Sequence, residues 1–284
     1  MGLPEPPELG AAMLPPGTYD GRVVLVTGGG TGLGKAMAVE FARLGACVAV
    51  ASRDPGHRAA GVAAIDAAGG HGLGVALDVR EPDAVSIAFD AIEDELGPVD
   101  VLINNAAGNF PVLAEKMSPR AWQAVTDIVL HGTFFCSAEL ARRCILREVG
   151  GAILNIGATY SWTGGPTTAH SAAAKAAVTN LTMSLAVEWA PHGIRVNCLA
   201  PGLFPHDDLP EVLKAGRDPG RDARSVPAGR VGRPHELGWA ATYLCSPFAA
   251  YLTGHTLVLD GANWLRRSLR MPEFVPASEQ IAPP

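Results

Sequence analysis

Between positions 22 and 260 the chain alternates short β-branched apolar runs with longer stretches of helical periodicity. The runs are RVVLVT (22–27), ACVAVAS (46–52), GLGVALD (72–78), VDVLINN (99–105), AILNIG (152–157), IRVNCLA (194–200) and HTLVLD (255–260). Seven strands joined by helical crossovers predict an α/β fold, a single doubly wound parallel sheet with helices on both faces. The helix after Pro166 is well marked, because Ala174, Val178, Leu181 and Leu185 recur at helical spacing and Pro191-His192-Gly193 stops it. Ser171 and Lys175 then share one face of that helix. The Pro-rich residues 1–20 predict an arm lying over the domain or a disordered tail, and residues 21–263 the domain itself. Within it, the Pro, Gly and Asp clusters of 203–230 predict a mobile substrate lid. Residues 264–284 read as an irregular tail whose charge cluster is Arg266, Arg267 and Arg270.

Composition narrows the function. A chain of 284 residues, 48% hydrophobic, buries one sizeable core without needing a second domain. Its formal charge of -6 is dispersed, so no basic stripe for nucleic acid is expected. The five cysteines, Cys47, Cys136, Cys144, Cys198 and Cys245, are odd in number and widely spaced, which argues against a disulfide framework or a metal site. No apolar run approaches a membrane span and the first twenty residues carry no targeting pattern, so a cytoplasmic enzyme without a membrane partner is expected.

Directly after the first strand stands Thr27-Gly28-Gly29-Gly30-Thr31-Gly32-Leu33-Gly34, followed by a helical stretch. Such a turn lets backbone N–H groups at a helix N-terminus approach a pyrophosphate, which assigns Gly28, Gly30, Thr31, Gly32, Leu33 and Gly34 to a dinucleotide in a Rossmann fold. At the end of the second strand, where NAD-preferring sites place a carboxylate, the chain has Ser52-Arg53. Arg53 can pair with a 2′-phosphate, so NADPH is the expected cofactor, with Asp54 as the competing ribose carboxylate if the strand runs later. Asp78 and Val79, then Asn105 and Ala106, fall where strand ends line the cofactor crevice, with turn chemistry as the other reading of each.

The TGxxxGxG turn, Asn104-Asn105-Ala106-Ala107-Gly108, the lysine of KAA at Lys175 and Pro201-Gly202 together resemble the short-chain dehydrogenase/reductase family over about residues 20 to 263. Pro201 and Gly202 join the cofactor set on that resemblance. The chain keeps the family's lysine and departs elsewhere: Ser171 stands at the usual tyrosine, Ala158 at the usual serine, and His131 in place of an asparagine. An aliphatic hydroxyl is a far poorer proton donor than a phenol, so carbonyl reduction by the usual route is not expected. A second tyrosine, Tyr160, follows the fifth strand. With AMLPP before the first strand, the ASR and DVR runs, NNAAGNF and TDIVLHGT, this pattern is similar to the mitochondrial-type 2,4-dienoyl-CoA reductases.

That resemblance implies NADPH-dependent reduction of a 2,4-dienoyl-CoA to a trans-3-enoyl-CoA in unsaturated fatty acid β-oxidation. Asn109 and Tyr160 would hold the thioester carbonyl, Ser171 and Lys175 would complete the catalytic set, and Lys175 would also bind the nicotinamide ribose. Arg80 would contact the CoA part, Phe110 and Ser118 would line the acyl-CoA path, and the family implies a homotetramer. Against these stand plainer readings: Tyr160 as a core or lid aromatic, Asn109 as a turn cap, Arg80 as a surface arginine, and His131 as a satisfied, partly buried histidine. Two other functions stay open, a reductase of 3-oxoacyl thioesters or another ketone with Tyr160 as acid, and a non-catalytic NADP-binding protein.

Overall fold

Strands form where the seven apolar runs fall: β1 Val23–Thr27, β2 Cys47–Ser52, β3 His71–Ala76, β4 Val99–Asn104, β5 Gly151–Ile156, β6 Ile194–Pro201 and β7 Thr256–Leu259. This computed structural model describes residues 3–208 and 218–266, with 276 and 279. Residues 209–217 of the expected lid, and Arg267 and Arg270 of the expected tail cluster, lie outside the described residues. The sheet is wholly parallel in the order β3-β2-β1-β4-β5-β6-β7. Strand order reverses between β1 and β4, and the two chain directions away from that point open a crevice at the strand C-termini.

Helices follow the strands: α1 Gly32–Arg43, α2 Pro55–Ala67, α3 Pro82–Leu96, α4 Pro119–Thr126, α5 Gly132–Leu146, the single turn α6 Tyr160–Thr163, α7 Ala169–Trp189, α8 Pro219–Ser225 and α9 Pro234–Cys245. Five of them begin on proline, whose fixed φ suits the first turn and whose missing N–H costs nothing there. Asp54, Ser118 and Asp218 cap three of these by accepting a first-turn N–H. Trp189 ends α7, and after a 3-10 turn Gly193 adopts φ +71, the left-handed conformation that lets the chain reverse into β6. A π-helical segment, Asp127–His131, joins α4 to α5.

Because strand side chains alternate, the apolar runs feed two cores at once. Val24 and Val26 of β1 pack with Met37 and Phe41 of α1, and Leu237, Ala241 and Leu244 of α9 join them. Val23 and Leu25 face the other way, into a layer with Phe89 and Ile92 of α3, Leu140 of α5, and Leu185 and Trp189 of α7. The N-terminal arm lies over the first layer. Leu14 and Tyr19 are buried in it, the Tyr19 hydroxyl donates to the Thr242 carbonyl at 2.5 Å, and its ring meets Phe41 edge-on at 4.9 Å. Further out, the Leu3 N–H donates to the Ala228 carbonyl and Arg233 pairs with Glu5. No helix among the described residues is long and apolar enough to cross a membrane.

Candidate active site

The crevice is built from the C-terminal ends of β1 and β4. Thr27, at the end of β1, is buried, and its hydroxyl accepts the N–H groups of Asn105 and Ala106 at 3.0 Å each while donating to the Ile103 carbonyl. Asn105 returns the tie, its amide donating to the carbonyls of Thr27 and Gly28. These bonds fix the glycine turn against β4. A Cβ on Gly34 would stand 2.3 Å from the Gly28 carbonyl oxygen and 2.4 Å from the Asn105 amide nitrogen, so only glycine lets α1 start this close to the turn.

A cleft of about 480 Å³ runs over this junction. Of the cofactor residues expected from sequence, Gly28, Thr31, Gly32, Leu33, Gly34, Arg53, Asp78, Val79, Asn105, Ala106 and Lys175 line it. Gly30 does not; it packs against His57 at the start of α2, where a Cβ would lie 2.1 Å from the His57 carbonyl oxygen. Pro201 and Gly202 also stand away from the lining, with Gly202 donating to the Leu259 carbonyl and packed on Asp260. His57, Ile128, Ile156 and His206 line the cleft without having been assigned to the cofactor from sequence. They reach it across long stretches of chain, and only the sheet topology brings them in.

The residues fit a dinucleotide. Thr31, the residue before α1, makes no side-chain capping bond, and the Gly32 N–H at the cleft is met by Asp208 from the segment after β6 rather than by a local cap. At the far end, Asp54 accepts the His57 N–H at 2.9 Å as the cap of α2. Arg53 lies 3.7 Å from Asp78, and Arg58 donates to the carbonyls of Ser52 and Arg53, a second guanidinium at the end of β2. Arg80 forks onto Asp78, donating from Nε at 2.9 Å and from a terminal nitrogen at 2.5 Å. That bond and the nearby Arg53 charge, outweighing partial burial, hold the Asp78 carboxyl below the usual range.

On the other side of the cleft stands α7. Ser171 and Lys175, one turn apart, are both buried. The Ser171 hydroxyl and the Tyr160 hydroxyl are 3.1 Å apart, with Tyr160 half-buried on the α6 turn that follows β5. Lys175 donates to the Ile156 carbonyl at the end of β5. Burial pulls its ammonium down to about 8, with Cys198 opposing. Below, a buried polar layer holds β4 and β5 to the helices: the Asn104 amide donates to Ser137 and Asn155, and Asn155 donates to Thr182.

The remaining expected residues sit around this set. Asn109 is exposed on the loop after β4 and caps no turn among the described residues. Phe110 meets the His170 ring edge-on at 4.8 Å. His170 is fully buried beside Ser171, whose N–H it accepts at 2.9 Å. Ser118 caps α4 and borders a groove of about 230 Å³ with Met117, Trp122 and Ala169. His131, expected to be partly buried, is instead 54% exposed and pairs with Asp127 at 3.0 Å, because the π-helical segment turns it out to solvent.

A family model described as Enoyl-(Acyl carrier protein) reductase matches residues 28–262. A probable 2,4-dienoyl-CoA reductase of Bacillus subtilis, described as (2E)-enoyl-CoA-producing, is 43% identical over 246 residues, 86% of this chain and 97% of that protein. The peroxisomal 2,4-dienoyl-CoA reductase of Rattus norvegicus, described as (3E)-enoyl-CoA-producing, is 40% identical over 255 residues, covering 88% of this chain and 86% of the relative. Among solved structures, a short chain dehydrogenase from Bacillus anthracis superposes with a TM-score of 0.80 at 41% identity, covering 87% of this chain and 98% of that one. The glycine turn at the β1/β4 reversal, the buried lysine of α7 and these likenesses agree, and the chain belongs to the short-chain dehydrogenase/reductase family of oxidoreductases.

Proposed function

We propose that the chain is an NADPH-dependent 2,4-dienoyl-CoA reductase producing a trans-3-enoyl-CoA. The observation that carries this reading is the Tyr160–Ser171 hydroxyl pair at 3.1 Å beside the buried Lys175, in a family site whose usual phenol has been replaced by Ser171. Reduced nicotinamide would be held by the glycine turn, Asn105 and Lys175, and when bound would supply a hydride for the δ-carbon of the dienoyl thioester. The residues of the chain then have one task, to stabilise negative charge delocalised onto the thioester oxygen. Tyr160 O–H and the Asn109 amide are neutral donors for that oxygen, and a fixed donor of this kind lowers a barrier by roughly 3 to 4 kcal/mol. Ser171 accepts or donates to orient the Tyr160 hydroxyl, and the Lys175 ammonium adds positive charge behind it. Proton delivery to the α-carbon, with water as donor, completes the reduction without a strong side-chain acid.

Support for NADPH over NADH comes from the end of β2. Asp54, the competing ribose carboxylate, is engaged as the α2 cap, while Arg53 borders the cleft and Arg58 brings a second guanidinium to the same strand end. Two cations and no free carboxylate suit a 2′-phosphate. The acyl-CoA reading draws on the relatives named as dienoyl-CoA reductases, with Phe110 against His170, the neighbour of Ser171, and Arg80 on Asp78 of the cleft lining.

Replacing Tyr160 by Phe tests the relocated hydroxyl. With 2,4-hexadienoyl-CoA and NADPH, Tyr160→Phe is expected to lose on the order of 100- to 1000-fold in kcat while NADPH affinity is unchanged. Retention of wild-type kcat would remove Tyr160 from the mechanism.

A further inference from the structure

The segment leaving β6 brings an anion of the protein's own to the start of α1. The Gly32 N–H donates to Asp208 Oδ2 at 2.7 Å, and the Lys35 ammonium lies 2.7 Å from that oxygen and 3.0 Å from Oδ1. Two residues earlier on the same segment, the His206 ring packs on Gly32, so closely that a Cβ there would lie 2.8 Å from it. Gly32 has φ +53, so a side chain at this position is excluded on both counts. Partial burial raises the Asp208 carboxyl, but Lys35, the Gly32 N–H and His206 outweigh it and keep the group below the ordinary carboxylate range. At neutral pH, then, a charged carboxylate holds the positive end of α1.

A pyrophosphate approaching a glycine turn of this kind uses the same first-turn N–H and is attracted by the same ammonium. Two anions cannot take one N–H donor without strong mutual repulsion. We propose that Asp208 sets cofactor affinity by competing with the dinucleotide's pyrophosphate for the Gly32 N–H and Lys35, so that cofactor entry displaces its carboxylate. The inference rests on the dinucleotide reading of the cleft and is independent of the choice between NADPH and NADH and of the substrate. His206, two residues before Asp208 on the same segment, also lines the cleft.

Fluorescence titration of the purified full chain tests this, comparing the wild type with Asp208→Asn and Asp208→Ala after their thermal midpoints are checked. Both variants are expected to bind NADPH, NADH and ADP-ribose about tenfold more tightly, because a charge-assisted contact to the protein no longer opposes the pyrophosphate. Adenosine 2′-phosphate, which has no pyrophosphate, is expected to bind all three proteins equally. Unchanged or weaker dinucleotide binding by the variants overturns the competition, as does an equal gain for adenosine 2′-phosphate, which would mark a diffuse charge effect. Binding of no dinucleotide by any of the proteins overturns the reading of the cleft, and the competition with it.

Discussion

Burial makes Lys175 both useful and costly. Its ammonium sits among β5, β6 and α7 with the Ile156 carbonyl as partner, and its folded value near 8 lies below the ordinary 10.5. Between those values the unfolded chain holds the proton more tightly than the folded one, so this group makes stability rise with pH over that window. Below pH 8 the folded protein carries the full penalty of a buried charge. Replacing Lys175 by Met removes the dependence: the unfolding free energy of the wild type is expected to gain roughly 2 to 3 kcal/mol on the variant as pH rises from 8 to 10.5. Chemical denaturation at both pH values measures it, and parallel pH profiles would show that the ammonium is not desolvated. The same residue scale separates what sequence reveals from what it hides. Ser171 and Lys175 fall one helical turn apart and Tyr160 follows an obvious strand, so their convergence is legible. Arg80 forking onto Asp78 is a choice between partners that the DVR run alone does not decide.

Among the elements, α3 and α5 are joined by charge as well as by apolar contact. Arg143 of α5, only 9% exposed, donates to Glu139 and Asp90 at 2.6 Å, to Glu93 at 2.7 Å and to the Ser86 carbonyl at 3.2 Å, with its guanidinium 5.4 Å from the centre of the Phe89 ring. A buried cation with this many partners contributes little net stability when whole, yet its loss leaves Glu93 with Arg147 alone and Glu139 with Arg142 alone as cationic partners. Arg143→Met is therefore expected to cost about 2 kcal/mol in denaturant unfolding, and Arg143→Lys most of that, since an ammonium cannot reproduce the fork. A cost under about 0.5 kcal/mol for either would show that the Arg143 cluster does not hold α3 to α5. Element positions were readable because apolar runs and proline starts mark them. The π-helical segment Asp127–His131 was not, since its extra residue per turn leaves no distinct periodicity, and it reversed the expected exposure of His131.

For the whole molecule, one sheet reversal organises everything: β1 and β4 supply the glycine turn and Asn105, β2 and β3 the Arg53, Asp78 and Arg80 cluster, and β5 with α7 the Tyr160, Ser171 and Lys175 set. The fold class and strand set follow from hydrophobic pattern alone because each strand must be covered on two faces. The cleft is less legible, since His57 reaches the glycine turn, and His206 and Asp208 the start of α1, from residues distant in sequence, and among the described residues the N-terminal arm joins the core through Leu14 and Tyr19. Ser171 in place of the usual phenol is what separates the proposed reduction of a conjugated thioester from ordinary carbonyl reduction. The most direct test follows absorbance of NADPH at equal concentrations of 2,4-hexadienoyl-CoA and acetoacetyl-CoA, with product identified by mass and double-bond position. A dienoyl thioester reductase is expected to oxidise NADPH with 2,4-hexadienoyl-CoA at least about 100-fold faster than with acetoacetyl-CoA, giving the trans-3-enoyl product. Reduction of acetoacetyl-CoA with no dienoyl turnover would contradict it and make the protein a ketone reductase that uses Tyr160 as its acid.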